Sequence, residues 1–288
     1  MSFKSSCDRS LGNVNAIEGL PIRHIPNSIS KRPKLALVVP FYVQNHKDLS
    51  TLDALATSIK KQTTRPHKVI FIDDHSPVKY ALPDDFFVIR LDKNKGPATA
   101  RNVGKAMAAE YDCDIIAFTD SDCILKENWV DIIIEGFRSN TRFNALSGHT
   151  KSLNKGWYDQ YHDINGTLNG RRFNNRSTLL YGTTSNLAIT AQVNNQIKFN
   201  EYFPNAAGED IEFCFRVLES GFQIGHCCEM TVFHDFGYNG NALRNFNLFR
   251  QQFKRYGKGE NLLLKEIPGY YSYFEQTVEI SNFQQCKL

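Results

Sequence analysis

The sequence lacks any run of about 20 apolar residues, so nothing in it is long enough to cross a bilayer as a helix. The opening MSFKSSCDRSLGNVN lacks the apolar core of a secretory signal. No C-x-x-C pair occurs among the 7 cysteines (Cys7, Cys113, Cys123, Cys214, Cys227, Cys228 and Cys286), and their odd number and irregular spacing speak against a zinc site or a disulfide framework. Reduced thiols in a cytoplasmic protein are expected instead. A dominant charge is also missing. The 34 Lys and Arg exceed the 30 Asp and Glu by only 4, with a pI near 8.6. That excludes a dedicated nucleic-acid binder, and no nucleic-acid partner is expected. A mildly basic protein does suit a polyanionic small molecule. Internal repeats and low-complexity stretches are absent. What remains is a globular composition, 41% hydrophobic and 22% charged, able to bury a sizeable core.

Residues 1–33 are polar and broken by Pro21, Pro26 and Pro33, which reads as a loosely attached arm. Order begins at Leu35. Leu35–Val39, Val69–Ile72 and Ile115–Phe118 are continuous apolar runs, as strands buried on both faces require, with Pro40 ending the first. Phe86–Leu91 is a further strand. Helical spacing covers Asp48–Gln62, Pro97–Glu110 and Asn128–Phe137, and Pro97 suits a first turn. This alternation predicts an α/β fold with a mixed, mainly parallel sheet flanked by helices. Residues 151–180, rich in Asn, Gly, Arg and Tyr, read as a long loop or lid. Leu187–Thr190 and Gln223–Phe233 read as strands, Asp210–Ser220 as a helix, and Asn241 to about Tyr256 as a basic, aromatic helix. The chain divides into the arm (1–33), a catalytic domain (34–240), and a C-terminal helix and tail (241–288) packed on that domain. A basic amphipathic helix can lie on an anionic membrane. The reading favoured here is packing with a solvated basic side; peripheral membrane contact and homo-oligomerisation are left open.

Acidic clusters follow two of the apolar strands, and in open α/β sheets ligands bind beyond the carboxyl ends of the strands. Asp120 and Asp122 in Thr119-Asp120-Ser121-Asp122 can share a divalent cation, and hard oxygen ligands select Mg²⁺ or Mn²⁺. Asp73 and Asp74 can accept hydrogen bonds from a nucleobase or ribose. The segment from Asn94 to Asn102, with Gly96 and Arg101 at a helix start, suits an anion. Asp210, in Gly208-Glu209-Asp210-Ile211-Glu212, can take a proton from an acceptor hydroxyl. His234, after an apolar strand, can complete a metal shell. Trp157, with Tyr158, Tyr161 and His162, is a candidate for stacking on a sugar, and Thr184 and Ser185 for lining an acceptor side.

These pieces, from Val38-Val39-Pro40-Phe41-Tyr42 through Ile72-Asp73-Asp74, Asn94-Lys95-Gly96 to Gly104, Thr119–Asp122 and Gly208–Phe213, stand in one order over roughly residues 34–258. In that order the chain resembles the inverting, GT-A-fold glycosyltransferases called family 2. The resemblance implies a Rossmann-like GT-A sheet with a C-terminal helical extension, and transfer of one sugar from a nucleoside-diphosphate sugar, most often a UDP-sugar, to an acceptor hydroxyl. It implies that Pro40 and Tyr42 flank the donor base and that Asp74, with Asp73 as neighbour, accepts from it. Arg101 would lie near the diphosphate, Asp120 on ribose or metal, Asp122 and His234 on metal, and Glu209 on the acceptor side beside Asp210, the general base. Processive members carry Q-x-x-R-W; here Gln251-Gln252-Phe253-Lys254-Arg255-Tyr256 has no Trp, which favours single addition. A sugar nucleotidyltransferase is the rival reading, but Pro40–Gln44 offers no glycine-rich phosphate loop. A non-catalytic carbohydrate-binding module is the other, and Asp210 argues against it.

Overall fold

The structure, a computed structural model, describes residues 19–21, 25–174 and 177–280. Much of the arm and the last eight residues of the tail, Cys7 and Cys286 included, lie outside them. Strand β1 (Leu35–Phe41) is buried throughout. Ala36 and Val38 enter one core, and Leu35, Leu37 and Val39 the other, the period-2 division of a strand covered on both faces. Strands β2 (Lys68–Asp73) and β3 (Phe87–Arg90) add in parallel on one side of β1, and β4 (Ile115–Phe118) on the other.

Helix α1 (His46–Lys60) links β1 to β2. It starts at a capping box in which Asn45 accepts from the Lys47 and Asp48 amides and Asp48 accepts from the Asn45 amide. Helix α2 (Pro97–Glu110) leads into β4, with Pro97 where an N–H would go unused and Gly96 at φ 84°. A side chain at Gly96 would meet the Pro204 carbonyl at 2.9 Å, so this turn requires glycine twice over.

After β4 come β5 (Cys123–Leu125), α3 (Trp129–Ser139), β6 (Ala145–Ser152), α4 (Trp157–Asn165), β7 (Arg171–Phe173), β8 (Leu179–Tyr181) and β9 (Leu187–Thr190). Then follow α5 (Ala191–Gln196), α6 (Glu209–Glu219), β10 (Ile224–His234), α7 (Ala242–Glu266), α8 (Tyr270–Phe274) and β11 (Thr277–Glu279). Among the described residues, eight strands form one sheet in the order β3-β2-β1-β4-β9-β6-β10-β5, with β9 antiparallel between β4 and β6. A small antiparallel sheet, β11-β7-β8, lies apart. One core holds Ala98 and Ala100 of α2 with Phe213 and Val217 of α6; the other holds Leu52, Leu55 and Ile59 of α1 with Ile133 and Phe137 of α3.

Four expectations are corrected. Pro40 does not end β1. Pairing with β4 stops at Val38, so Pro40 stands where the ladder has an open side and its missing N–H costs little. The arm is not loose where it is described. Leu20 is buried, and the Asn27 amide donates to the carbonyls of Phe137 and Phe143, both at 3.0 Å. Residues 151–180 are not one loop, since they hold α4, β7 and β8. Helix α7 runs on past Tyr256 for almost three turns, because Gly259 lets it touch the 204–208 loop: a Cβ there would lie 2.2 Å from the Ala207 carbonyl oxygen. The C-terminal segment buries Gln252, Leu263 and Tyr270. No helix among the described residues is long and apolar enough to cross a membrane.

Candidate active site

A crevice of about 970 Å³ opens beyond the carboxyl ends of β1, β2 and β4. Pro40, Tyr42 and Asp74 line one wall, Arg101, Asp120 and Asp122 the floor, and Thr184, Ser185, Glu209, Asp210 and His234 the facing wall. Helix α7 closes the remaining side with Arg244, Leu248, Gln251 and Arg255. Eleven of the thirteen residues singled out by sequence therefore share one cavity.

Asp73 and Trp157 do not. Alternation along β2 turns Asp73 into the protein, where it is fully buried and accepts from the Ser76 amide at 2.7 Å, the Tyr80 hydroxyl at 3.0 Å and the Arg90 guanidinium. Burial, reinforced by the Asp73 charge, pushes the Tyr80 phenol up to about 12, so it stays a donor. Asp73 thus fixes the turn after β2. Trp157 is 91% exposed at the start of α4, outside the crevice. Its neighbours are also used elsewhere. Tyr158 packs on Tyr238 and Phe249, and the His162 ring stacks on Phe236 at 4.0 Å.

Asp74 faces the crevice but is held by the loop it opens onto: its two oxygens accept from the Lys95 and Gly96 amides at 2.7 and 2.8 Å. Arg101, on α2, is 2% exposed and spans the floor, donating to Glu209 at 2.7 Å and to Asp120 at 3.0 Å. Both terminal nitrogens of the guanidinium serve protein carboxylates, so its geometry is that of a tie between the β4 loop and α6.

Asp210 follows Glu209 in the first turn of α6. One oxygen accepts from the Thr184 amide at 3.4 Å and the other from the Ile211 amide at 2.9 Å. Burial, then the Glu209 charge, push its carboxyl up to about 7 against the opposing pull of Arg101. A carboxyl poised near neutrality in a crevice wall is suited to proton transfer at ordinary pH. Ser185 anchors the same wall, its carbonyl accepting from Thr119 at 3.0 Å.

The Asp122 and His234 side chains meet across the β5–β10 ladder, where Cys123 pairs with His234. His234 Nε2 lies 3.3 Å from Asp122 Oδ1. Asp122 Oδ1 and His234 Nδ1 are both shielded from water and without a hydrogen-bond partner. Burial raises the Asp122 carboxyl above its ordinary value, with His234 opposing. Cys123 is the third group within reach; burial, then the Asp122 charge, raise its thiol well above the usual range. Asp122 Oδ1, without a hydrogen-bond partner and facing His234 Nε2, makes with it a carboxylate–imidazole pair that fits a divalent cation. On the α7 wall, Gln251, Gln252, Arg255 and Tyr256 belong to the segment set beside Q-x-x-R-W, whereas Arg244 looks in sequence like part of any basic amphipathic face.

A family model described as glycosyl transferase family 2 matches residues 36–203. The chain is 28% identical over 223 residues to a pre-mycofactocin glycosyltransferase of Mycobacterium tuberculosis, covering 73% of this chain and 44% of that protein. It is 23% identical over 144 residues to a poly-beta-1,6-N-acetyl-D-glucosamine synthase of Staphylococcus aureus, covering 46% and 34%. The chain thus spans less than half the length of these curated relatives. A crystal structure of S. aureus TarS 1–349 in complex with UDP superposes with a TM-score of 0.55 at 17% identity, over 83% of this chain and 72% of that one, a likeness of fold.

Proposed function

The chain belongs to glycosyl transferase family 2 and has its GT-A fold, and we propose that it is an inverting glycosyltransferase that moves one sugar from a nucleoside-diphosphate sugar to an acceptor hydroxyl. The observation that carries this reading is the single crevice that gathers Asp74, Asp120, Asp122 and Asp210, with burial raising the Asp210 carboxyl above its ordinary value. A UDP-sugar is the donor of choice, supported by the UDP held by the similarly folded TarS. Pro40 and Tyr42 flank the base, Asp74 accepts from it, and Asp120 meets the ribose.

Asp210 takes the proton of the acceptor hydroxyl. The freed oxygen forms a bond to the anomeric carbon while the bond from that carbon to the diphosphate oxygen breaks, and the electron pair leaves with the diphosphate. Attack from the opposite face inverts the configuration, and holding both substrates in line supplies much of the rate. Asp122 and His234 would hold Mg²⁺ or Mn²⁺, which would stabilise negative charge on the leaving diphosphate. Arg101 acts as a positioning residue: it keeps Asp120 and Glu209, and through Glu209 the neighbouring Asp210, in register. Thr184 and Ser185, with Glu209 behind them, shape the acceptor side. Tyr256 in place of the Trp of processive relatives supports single addition. Cys113, Cys123 and Cys214, buried as thiols, support a reducing, cytoplasmic setting.

The test is release of nucleoside diphosphate from a panel of nucleotide sugars with Mn²⁺, for the natural chain and for Asp210→Asn. Loss of a general base costs on the order of 10²–10⁴ in rate, so the variant should bind donor and turn over little. Near-natural turnover by Asp210→Asn would sink its assignment as base, and release of pyrophosphate instead would overturn the reaction class.

A further inference from the structure

Helix α4 and the first four turns of α7 pack side by side beside the crevice, and exposed apolar side chains and cations stand along them. Trp157, Tyr161 and Ile164 fall at i, i+4 and i+7 on α4 and are 91%, 41% and 56% exposed. On α7, Leu243 and Phe246 are 71% and 51% exposed. Tyr161 joins the two helices, its ring 5.2 Å from Phe249 and 5.7 Å from Phe253, which follow Phe246 at i+3 and i+7. Folded proteins rarely expose so many large apolar side chains together unless the patch meets a partner or a membrane.

The surrounding charge selects between them. Between Ala242 and Gly259, α7 carries no acid; besides Arg244 and Arg255 of the crevice wall it has Arg250, Lys254 and Lys258, and Lys151 and Lys155 precede α4. The acids of α4 are turned away from this face: Asp159 is buried, and Asp163 accepts from the Ser152 amide at 2.8 Å. Apolar and aromatic tips flanked by cations on a helical surface match an anionic lipid interface. A protein partner would need a complementary surface lined with acids to cover the same face.

We propose that the α4–α7 face docks the protein on an anionic membrane surface, with Trp157, Ile164, Leu243 and Phe246 seated at headgroup depth. Because α7 is also a wall of the crevice, docking brings the crevice beside the membrane. The inference rests on the transferase reading only for its purpose. Docking is measured without donor or acceptor, so its failure would leave that reading standing.

Trp157 is one of 2 tryptophans, and the other, Trp129, is fully buried, so a change in emission on adding vesicles reports Trp157. With the full chain, vesicles of phosphatidylcholine containing about a third phosphatidylglycerol should blue-shift the emission and carry the protein up in flotation. Pure phosphatidylcholine should not, and ~1 M salt should weaken the effect. Replacing Arg250 and Lys254 by Gln should each lower vesicle affinity about fivefold. Ile164→Glu with Phe246→Glu should abolish flotation while donor hydrolysis stays unchanged. Absence of a shift with anionic vesicles would overturn the proposal. So would equal, salt-independent binding to both vesicle types, or self-association lost in the Glu variant without vesicle binding.

Discussion

Arg101 and Glu209 come from opposite halves of the chain, and their side chains meet at 2.7 Å in a place from which water is almost wholly excluded. Burying both charges is tolerable only because each answers the other and Asp120 takes the second arm of the guanidinium. The pair ties α2 to α6 directly under the carboxyl that the proposed chemistry uses.

Removing one member should therefore be far worse than removing both. Arg101→Met leaves Glu209 buried and unanswered and should cost roughly 3–5 kcal/mol in urea unfolding, whereas Arg101→Met with Glu209→Leu should recover much of that loss. It also withdraws the cation that restrains Asp210, so the acid limb of any activity that survives should move to higher pH.

Asp210 sets the pH dependence. A base with a carboxyl near 7 works when deprotonated, so transfer should rise with pH through about 7, and Asp210→Asn should abolish that limb. Stability runs the other way. The folded-state value lies above the ordinary 3.8, so the folded form holds the extra proton between the two, and the stability Asp210 contributes at low pH is lost as pH rises through about 7. Thermal melts should show Asp210→Asn gaining on the natural protein at pH 8 and matching it near pH 4.

Asp122 and His234 should be separable from the base by ligand binding alone. Calorimetry with UDP should show Mn²⁺-dependent affinity in the natural chain. His234→Ala should weaken it, and Asp122→Ala should remove most of the dependence on Mn²⁺. Equal UDP affinity in all three, with and without the ion, would refute the cation assignment. Cys123→Ala should leave the dependence in place, since Mg²⁺ and Mn²⁺ prefer oxygen ligands to a thiolate.

Two glycines of α7 make a controlled comparison. A Cβ at Gly259 would collide with the Ala207 carbonyl oxygen at 2.2 Å, whereas at Gly257 nothing lies within 4 Å. Gly259→Ala should cost about 1–3 kcal/mol as α7 is forced off the 204–208 loop. Gly257→Ala should gain up to about 1 kcal/mol from helix propensity alone. Chemical denaturation of the two variants checks both.

The sequence made the parallel half of the sheet legible because β1, β2 and β4 are covered on both faces and so appear as unbroken apolar runs. The start of α2 was equally open, since Gly96-Pro97 is a local signal. What stayed hidden depends on partners far along the chain. β7 reads Arg-Arg-Phe and becomes a strand because β8 and the distant β11, from Thr277 to Glu279, flank it. Asp73 and Asp74 are identical neighbours, and the partners that hold the first inward, Ser76, Tyr80 and Arg90, come together only in the fold. Arg101 looked like a phosphate ligand, and the glutamate that occupies it lies on α6. Trp157 looked like a sugar platform because local pattern cannot show on which side of α4 the crevice lies.

The short β5–β10 ladder has a kinetic consequence. Asp122 and His234 approach each other only when residues 123–125 zip against 232–234, closing a loop that contains α3 through most of β10. Such a contact has high sequence separation and forms late, after the entropy of closure has been overcome. The cation-ready corner therefore has no local precursor. It should emerge together with the cooperative folding of the whole domain, and in pulse-labelling hydrogen exchange the amides of this ladder should gain protection no earlier than those of β1 and β4.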